Sequence, residues 1–301
     1  MLKTLLAEHR AARFAIAAAT GAAGVLCFAP FGLFWLAPLI WLGLFQLLRS
    51  AGTTRQAALT GLAFGLGFFL SGVSWVYVSL SVFGGMPWWL AGIAAFLFCS
   101  VMALFPMLAG ALFKRWQPAN PWQQALYFAT LIAAVDWLRS WIFTGFPWLT
   151  VGYSQAPPSP LAGFAPLLGV HGLALLVALA GALLLRWRVG LAFLALTTAT
   201  GYGLQQVPWT SPVGPPVSVA LIQGNVPQEM KFRPEAFART LTLYRELVAQ
   251  NPAQLTLLPE TAIPAFFDQL PPAYITELKA IVAGHGGDLI FGTLTGDGER
   301  Y

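Results

Sequence analysis

The sequence predicts a multi-pass α-helical membrane bundle of about seven spans, followed by the beginning of an extracytoplasmic α/β domain. The 301 residues are 57% hydrophobic and only 9% charged, which excludes an ordinary soluble globular protein. Residues 1–208 contain ten Lys or Arg and two acids, Glu8 and Asp136, whereas residues 209–301 contain six bases and nine acids. All twelve Trp occur at or before Trp209, as expected for side chains that anchor helices at membrane interfaces.

Seven apolar segments are candidates for crossing a bilayer, which takes about 20 residues per helix. They are residues 11–28, 30–48, 57–82, 88–113, 122–143, 161–185 and 188–207. Lys and Arg occur at alternate connections: Lys3/Arg10/Arg13, Arg49/Arg55, Lys114/Arg115 and Arg186/Arg188. The connections near 29–32, 83–87 and 144–160 contain neither. The positive-inside rule therefore predicts a cytoplasmic N-terminus, and an odd number of spans places residues 217–301 outside.

The composition changes after residue 208. Residues 209–216 form a Pro-rich linker, and residues 217–301 alternate between strand and helix patterns, which favours an α/β domain. The predicted strands are Val217–Ile222, Leu255–Leu258 and Asp288–Thr293, the predicted helices are 234–250 and 272–284, and Thr295–Gly298 is a predicted hairpin turn. Three or four strands in this segment are too few for a complete domain, so we expect one that is truncated at its C-terminus.

Glu260 is the strongest catalytic candidate. It directly follows the apolar strand Leu255–Leu258 and stands between Pro259 and Pro264. A carboxylate at the carboxyl end of a strand in an α/β sheet is a usual position for a general base. The alternative is structural, because such a carboxylate also accepts N–H bonds from the turn that follows.

Two further segments contain candidate binding residues. The loop from Gln223 to Phe232 follows the first predicted strand; it is either a tight turn or a wall of the Glu260 site, with Phe232 as its apolar part. An aromatic loop follows the fifth span, and it is either a membrane anchor or the lip of a lipid-entry groove. Its candidate substrate-binding residues are Gly145, Pro147, Trp148 and Tyr153.

Asp136 and Arg139 are ionisable residues in the last turns of the fifth span. Their i,i+3 spacing on a helix allows them to pair. Ionisable groups within a span are functional candidates. A structural pair that holds the aromatic loop is the equal alternative.

No metal site or tightly bound cofactor is predicted. Cys27 and Cys99 lie in apolar runs without ligand spacing, and His9, His171 and His285 are widely separated. The net charge of +5 comes from the apolar part of the chain, so it reflects membrane topology and does not predict nucleic-acid binding.

Taken in order, three motifs resemble the apolipoprotein N-acyltransferases of the bacterial inner membrane. They are Gly145-Phe146-Pro147-Trp148-Leu149 with Gly152-Tyr153-Ser154-Gln155, then Val219-Ala220-Leu221-Ile222-Gln223-Gly224-Asn225-Val226-Pro227-Gln228, and Pro259-Glu260-Thr261-Ala262-Ile263-Pro264. The resemblance covers essentially the whole chain, as the N-terminal part of such an enzyme. It implies a membrane bundle with a periplasmic nitrilase-like domain of α-β-β-α architecture, and we expect a monomer.

The resemblance also implies a chemistry. A Glu-Lys-Cys triad transfers an acyl group from a phospholipid, through a Cys thioester, to the α-amine of the S-diacylglyceryl cysteine of an apolipoprotein. Glu260 matches the triad Glu, whereas Lys231, Lys279, Cys27 and Cys99 match neither of the other two. We therefore expect the 301-residue chain alone to be inactive. Phe232 stands where the family more usually has Trp.

The sequence is also compatible with three other classes of protein. A transporter with a small external cap should contain ionisable residues at mid-membrane, and only Asp136 and Arg139 approach that description. A membrane-tethered nitrilase-like amidase would act on small soluble amides. A truncated relic would have only a structural role.

Overall fold

The computed structural model describes residues 10–296. Lys3 and the end of the predicted turn Thr295–Gly298 lie outside this range. The chain divides into two compact units between Ser211 and Pro212. This division falls inside the Pro-rich segment 209–216.

The first unit is helical. Within residues 10–211 its α-helices are α1 (Arg10–Gly24), α2 (Ala37–Arg49), α3 (Thr54–Gly72), α4 (Trp75–Val78), α5 (Trp88–Arg115), α6 (Pro121–Arg139), α7 (Ala165–Leu183) and α8 (Trp187–Gln205). A π-helical turn, Ser79–Phe83, continues α4. Short 3-10 turns lie at Val25–Cys27, Phe34–Leu36, Ile142–Thr144, Val151–Gln155 and Pro160–Phe164.

Several of these helices are able to cross a membrane. Among the described residues, three helical stretches are long and apolar enough on their own: Arg10–Cys27, Trp88–Arg115 and Pro160–Leu183. A fourth is obtained if Thr54–Gly72 and Trp75–Phe83 are counted as one span. Phe34–Arg49 is apolar but shorter. The structure is thus mostly helical with three to four candidate spans.

The predicted span 57–82 is not a straight helix. Thr54–Gly72 and Trp75–Phe83 meet at an angle of 50°. Every residue from Leu62 to Val73 is apolar, glycine or serine, so the hydropathy pattern contains no sign of the break. The predicted segment 161–185 is also interrupted, because Gly169 has a φ of 61°, which only glycine adopts without strain.

Small residues allow the helices to approach closely. A Cβ on Gly61 of α3 would lie 2.2 Å from the carbonyl oxygen of Pro106 in α5, and one on Gly21 of α1 would lie 2.0 Å from that of Phe64. Glycine at such contacts is typical of helices that pack by van der Waals contact in lipid. Aromatic rings fill the remaining core, with Phe45 lying 5.0 Å from Phe128 and 5.8 Å from Phe113 between ring centroids.

The second unit contains a small parallel sheet with two helices. Its elements are β1 (Val219–Leu221), α9 (Pro234–Gln250), β2 (Leu255–Leu257), α10 (Pro272–Ala283) and β3 (Asp288–Ile290). The order is β1-β2-β3, and both pairings are parallel, with Ala220 opposite Thr256 and Thr256 opposite Leu289. Buried residues of α9 and α10, such as Val248 and Leu278, form the core on this side of the sheet.

The opposite face of the sheet is open in the described part of the chain. Val219, Leu221 and Ile290 are 50%, 76% and 57% exposed. Parallel sheets are normally covered on both faces. Within the described residues, α9 and α10 therefore cover one face of the sheet.

Candidate functional site

A buried ion pair lies at the end of α6, in the helical unit. Arg139 donates from Nη2 to Oδ1 of Asp136 at 2.6 Å, and the two residues are 2% and 7% exposed. Their i,i+3 spacing brings them together on one face of the helix. The pair is electrically neutral as a whole, which is how buried charges are tolerated in an apolar surrounding.

The same pair binds the backbone of the aromatic loop. Arg139 donates from Nη1 to the carbonyl oxygens of Phe146 and Trp148, the latter at 2.7 Å. The second carboxylate oxygen of Asp136 accepts the Val151 N–H at 2.7 Å. The two charged residues therefore fix the loop at three backbone positions, 146, 148 and 151.

The predicted binding residues of this loop differ in their surroundings. Trp148 is 50% exposed and its ring lies 5.2 Å from that of Trp75. Tyr153 is 54% exposed, and Pro147 is exposed while its carbonyl oxygen accepts from the Thr150 hydroxyl at 2.7 Å. Gly145 has a φ of 81° and forms the bend that returns the chain to Arg139.

A groove of about 540 Å³ opens beside the loop, between α5 and residues 142–146. Phe98, Val101 and Leu108 of α5 contribute to one wall, and Phe143, Gly145 and Phe146 contribute to the other. Its lining is apolar apart from Arg139 and Thr144. Of the four predicted loop residues, Gly145 lines this groove and the other three do not.

The loop wall of this groove is strained. Phe143 and Thr144 have φ values of 52° and 76°, in a region that disfavours side chains, and the Phe143 ring is 90% exposed. Strained backbone of this kind concentrates at ligand sites because the surrounding structure must hold it in place. The arrangement is suited to binding an apolar chain.

In the α/β unit, three chain segments leave the sheet at one edge. Gln223 follows β1, Glu260 follows β2 and Gly292 follows β3, and all three strands are parallel. The carboxyl ends of parallel strands therefore meet at this edge, which is where open α/β sheets place their ligands.

Glu260 lies in an exposed turn at this edge. The next residue, Thr261, has a φ of 47°, and the Ala262 N–H donates to the Pro259 carbonyl at 3.1 Å. Within residues 10–296, no described hydrogen bond or ion pair involves the Glu260 carboxylate. Its carboxylate is thus accessible to a reacting group.

The backbone around Glu260 is held by its neighbours. Lys231 donates from Nζ to the Glu260 carbonyl oxygen at 3.1 Å. A Cβ on Gly292 would lie 2.7 Å from the Thr261 nitrogen, so the end of β3 packs directly against this turn. The main chain of Glu260 is positioned even though its side chain is exposed.

Phe232 lines a cavity of about 410 Å³ whose wall combines apolar residues, such as Pro264 and Phe266, with the polar side chains of Lys231, Arg233 and Gln269. Its ring is 60% exposed. Gln223 and Glu260 do not line this cavity. Phe232 directly follows Lys231, the residue that binds the Glu260 carbonyl oxygen, whereas Gln223 lies exposed at the end of β1.

Gly224 explains the course of the loop after Gln223. A Cβ at this position would lie 2.8 Å from Cζ of Tyr244 in α9, so a side chain cannot be accommodated without movement. Burial raises the pKa of Tyr244, and the adjacent Gly224 backbone opposes part of that rise. The tyrosine is therefore a neutral support for the loop at ordinary pH.

Several residues of these sites do not stand out in the sequence. Thr150 donates to the Pro147 carbonyl and Lys231 to the Glu260 carbonyl, and backbone acceptors of this kind leave no sign in a sequence. Gly292 looks in the sequence like any other glycine that follows a strand. The pattern Asp136–Arg139 was visible because it is local. Among residues 10–296, no three His, Cys, Asp or Glu side chains converge as metal ligands.

Comparison with known proteins identifies the family of the chain. Residues 20–183 match the family described as apolipoprotein N-acyltransferase N-terminal domain. An apolipoprotein N-acyltransferase of Nitrosomonas europaea is 46% identical over 289 residues, which cover 93% of this chain and 58% of the relative. Those of Ralstonia nicotianae and Chromobacterium violaceum are each 40% identical over 95% of this chain and 56% and 57% of their own lengths.

The chain thus spans a little under three fifths of the length of these relatives. The similarity includes both units, because the matched shares exceed nine tenths of the chain. With a matching family over more than half its length and relatives of this identity, the chain belongs to the apolipoprotein N-acyltransferase family.

Proposed function

We propose that this chain takes part in the N-acylation of the S-diacylglyceryl cysteine at the N-terminus of apolipoproteins, with a phospholipid as acyl donor. The observation that carries the proposal is the position of Glu260. Its carboxylate is exposed at the carboxyl edge of a parallel sheet, while Lys231 and Gly292 fix its backbone. Names of relatives that match more than nine tenths of the chain support the same reaction.

Glu260 acts as the general base in this proposal. It accepts the proton of a cysteine thiol, and the thiolate attacks the ester carbonyl of the phospholipid. Glu260 then gives that proton to the departing glycerol oxygen, so that a thioester forms and a lysophospholipid is released. Glu260 then accepts a proton from the attacking α-amine of the apolipoprotein, and the thiolate leaves. The product is an amide, and the thiol is regenerated.

The nucleophilic cysteine and the lysine of the triad belong to a region outside residues 1–301 in this proposal. Cys27 and Cys99 are 3% and 1% exposed and both lie in the core of the helical unit. Neither is suited to a reaction at the sheet edge. We therefore expect the 301-residue chain alone to form no thioester.

The helical unit provides the membrane part of the reaction. We propose seven spans, with α3 and α4 counted as one, a cytoplasmic N-terminus and a periplasmic α/β unit in the bacterial inner membrane. The unit acts as a monomer, and the aromatic loop and its groove accept acyl chains from the outer leaflet. Membrane-anchored substrates confined to one plane reach such a site at high effective concentration.

The α/β unit has the nitrilase-like α-β-β-α architecture in this proposal. The open sheet face at Val219, Leu221 and Ile290 supports it, because a second sheet would cover that face. No cofactor or metal is required by the reaction.

The topology is tested by labelling with a membrane-impermeant maleimide in spheroplasts. Phe83→Cys should react and Ala119→Cys should not. The connection 83–87 contains no Lys or Arg, whereas the connection at Ala119 follows Lys114 and Arg115. Labelling of both from outside, or of Ala119→Cys alone, contradicts the proposed orientation.

The reaction is tested in a chimera that joins residues 1–301 to the remainder of the Nitrosomonas europaea relative. Intact mass should reveal a thioester adduct after incubation with phospholipid vesicles. Glu260→Gln should slow its formation about 10²–10⁴-fold, the usual contribution of a general base. Glu235→Gln, an exposed acid in the first turn of α9, is the matched control.

Two results would contradict the proposal. Thioester formation by Glu260→Gln at the control rate would leave Glu260 with a structural role only. A thioester on the 301-residue chain alone would mean that Cys27 or Cys99 is the nucleophile.

A further inference from the structure

One end of the helical unit collects nearly all of its positive charge. At this end α1, α3, α6 and α8 begin and α2, α5 and α7 finish. The cations there are Arg10, Arg13, Arg49, Arg55, Lys114, Arg115, Arg186 and Arg188. Within the described residues of this unit the one acid is Asp136, which lies 14 residues beyond Trp122 in α6, or about 21 Å along the helix.

Contacts between the helices bring two of these arginines to the same turn. Arg49, at the end of α2, donates from Nε to Oε1 of Gln124 at 3.0 Å. The Arg186 guanidinium lies 4.5 Å from the ring centroid of Trp122. Trp122 and Gln124 lie in the first turn of α6, two residues apart and therefore on different faces. The two contacts thus fix both guanidinium groups at the same level of the bundle, with that of Arg186 on the exposed side of α6.

These contacts orient the arginines without neutralising them. Gln124 is an amide and Trp122 is an indole, so neither supplies a negative charge. Arg186 and Arg188 also precede or begin α8, where the macrodipole of the helix is itself positive. An anion bound here would therefore be attracted by the arginines and by the helix end together.

The surrounding tryptophans indicate the depth of this end in a membrane. Trp116, Trp122 and Trp187 are 61%, 46% and 62% exposed. Exposed Trp on apolar helices lies at the level of the lipid head groups. The arginines at the same end are thus at the depth of lipid phosphates, which guanidinium groups bind with paired hydrogen bonds.

We propose that Arg186 and Arg188 bind the phosphate of an anionic phospholipid, with Trp122 supporting the site. This lipid is distinct from the acyl donor, and the site lies at the opposite end of α6 from Arg139 and the aromatic loop. The inference does not depend on the proposed acyl transfer. It assigns a second, non-reacting lipid to the basic end of the bundle.

Native mass spectrometry of the chain, released from detergent after incubation with lipid, tests the proposal. Dioleoyl-phosphatidylglycerol should remain bound, and dioleoyl-phosphatidylcholine should not. Arg186→Gln should weaken retention about fivefold, the expected effect of one basic residue beside an anionic head group. Arg186→Lys should retain part of it, because the charge remains while the planar stacking on Trp122 is lost.

Arg239→Gln is the control, since it removes the same charge from an exposed position in α9. Arg188 is exposed as well, so Arg188→Gln provides a second variant of the site that does not disturb the core. Equal retention of the two lipids, or an equal loss in Arg239→Gln, would overturn the proposal. Displacement of the lipid by millimolar inorganic phosphate would also overturn it, by showing a site for free anions.

Discussion

Asp136 in the helical unit and Glu260 in the α/β unit are carboxylates held in opposite ways. Asp136 is buried, pairs with Arg139 at 2.6 Å and accepts the Val151 N–H. Glu260 is exposed, and the described contact at this residue is to its carbonyl oxygen, not to its carboxylate.

This difference distinguishes a carboxylate that supports the structure from one that is free to react. A buried carboxylate whose two oxygens are both bound stabilises the groups around it and is not available to exchange protons with a substrate. A carboxylate on a fixed backbone with a free side chain is available. The comparison therefore agrees with a loop-positioning role for Asp136 and supports the proposed proton transfer by Glu260.

The largest expected effect is that of Arg139→Gln. The substitution leaves Asp136 charged, buried and without its partner, which we expect to destabilise the helical unit by about 3–5 kcal/mol. Chemical unfolding in mixed micelles measures the loss, and hydrogen exchange at Val151 should rise in parallel. Asp136→Asn combined with Arg139→Gln should recover part of the loss, because no isolated charge remains.

Arg115→Gln is the control for this experiment, since Arg115 is exposed at the end of α5. A loss for Arg139→Gln no larger than that of the control would show that the ion pair does not hold the loop.

The next effect concerns the backbone that supports Glu260. Gly292→Ala places a Cβ 2.7 Å from the Thr261 nitrogen, and we expect a cost of about 1–3 kcal/mol from the forced displacement. Hydrogen exchange in β2 and the Glu260 turn measures it. Gly284→Ala is the matched control, because its nearest contacts are 3.4 Å and its φ of −59° suits alanine. Equal behaviour of the two variants would mean that β3 does not support the turn.

Sequence patterns anticipated these regions to different degrees. The periodicity of residues 234–250 and 272–284 predicted α9 and α10 to within a residue, because their apolar faces are regular and proline begins each helix. The apolar run 57–82 concealed the break after Gly72, since all of its residues suit a membrane helix equally.

The contacts at the two candidate sites could also be predicted only in part from the sequence. The spacing of Asp136 and Arg139 predicted a possible pair, but the carbonyl oxygens of Phe146 and Trp148 that Arg139 binds are backbone atoms, which every residue possesses. The position of Glu260 after a strand was visible. Its contact with Gly292 depends on the order of the strands, which periodicity does not encode.

A smaller effect is expected at Tyr274 in α10. Burial raises its pKa to about 12, and its hydroxyl donates to the Leu241 carbonyl at 3.1 Å. Because the pKa in the folded state exceeds the ordinary value near 10, the stabilising contribution is complete below pH 10 and disappears as the pH rises through 12. Tyr274→Phe should cost about 1 kcal/mol at pH 8 through the lost hydrogen bond and should make the fall above pH 10 shallower.

Unfolding followed by hydrogen exchange at pH 8 and by circular dichroism up to pH 12 measures both effects. Tyr244, whose pKa burial also raises, should leave a residual decline in the variant. An unchanged slope in Tyr274→Phe would mean that Tyr274 does not titrate with folding.

The smallest expected change in stability is that of Glu260→Gln, and it is the most informative. Lys231 binds the Glu260 carbonyl and Gly292 packs against the backbone, and both contacts survive the substitution. The free energy of unfolding of the α/β unit should therefore change by less than about 0.5 kcal/mol, as at other exposed positions. Hydrogen exchange in β2 and α10 measures it, with Glu235→Gln as the control. A loss above about 1 kcal/mol would make the carboxylate a structural acceptor in the turn, as Asp136 is in the helical unit. An unchanged stability would remove that structural role and agree with the proposed role of Glu260 as a general base.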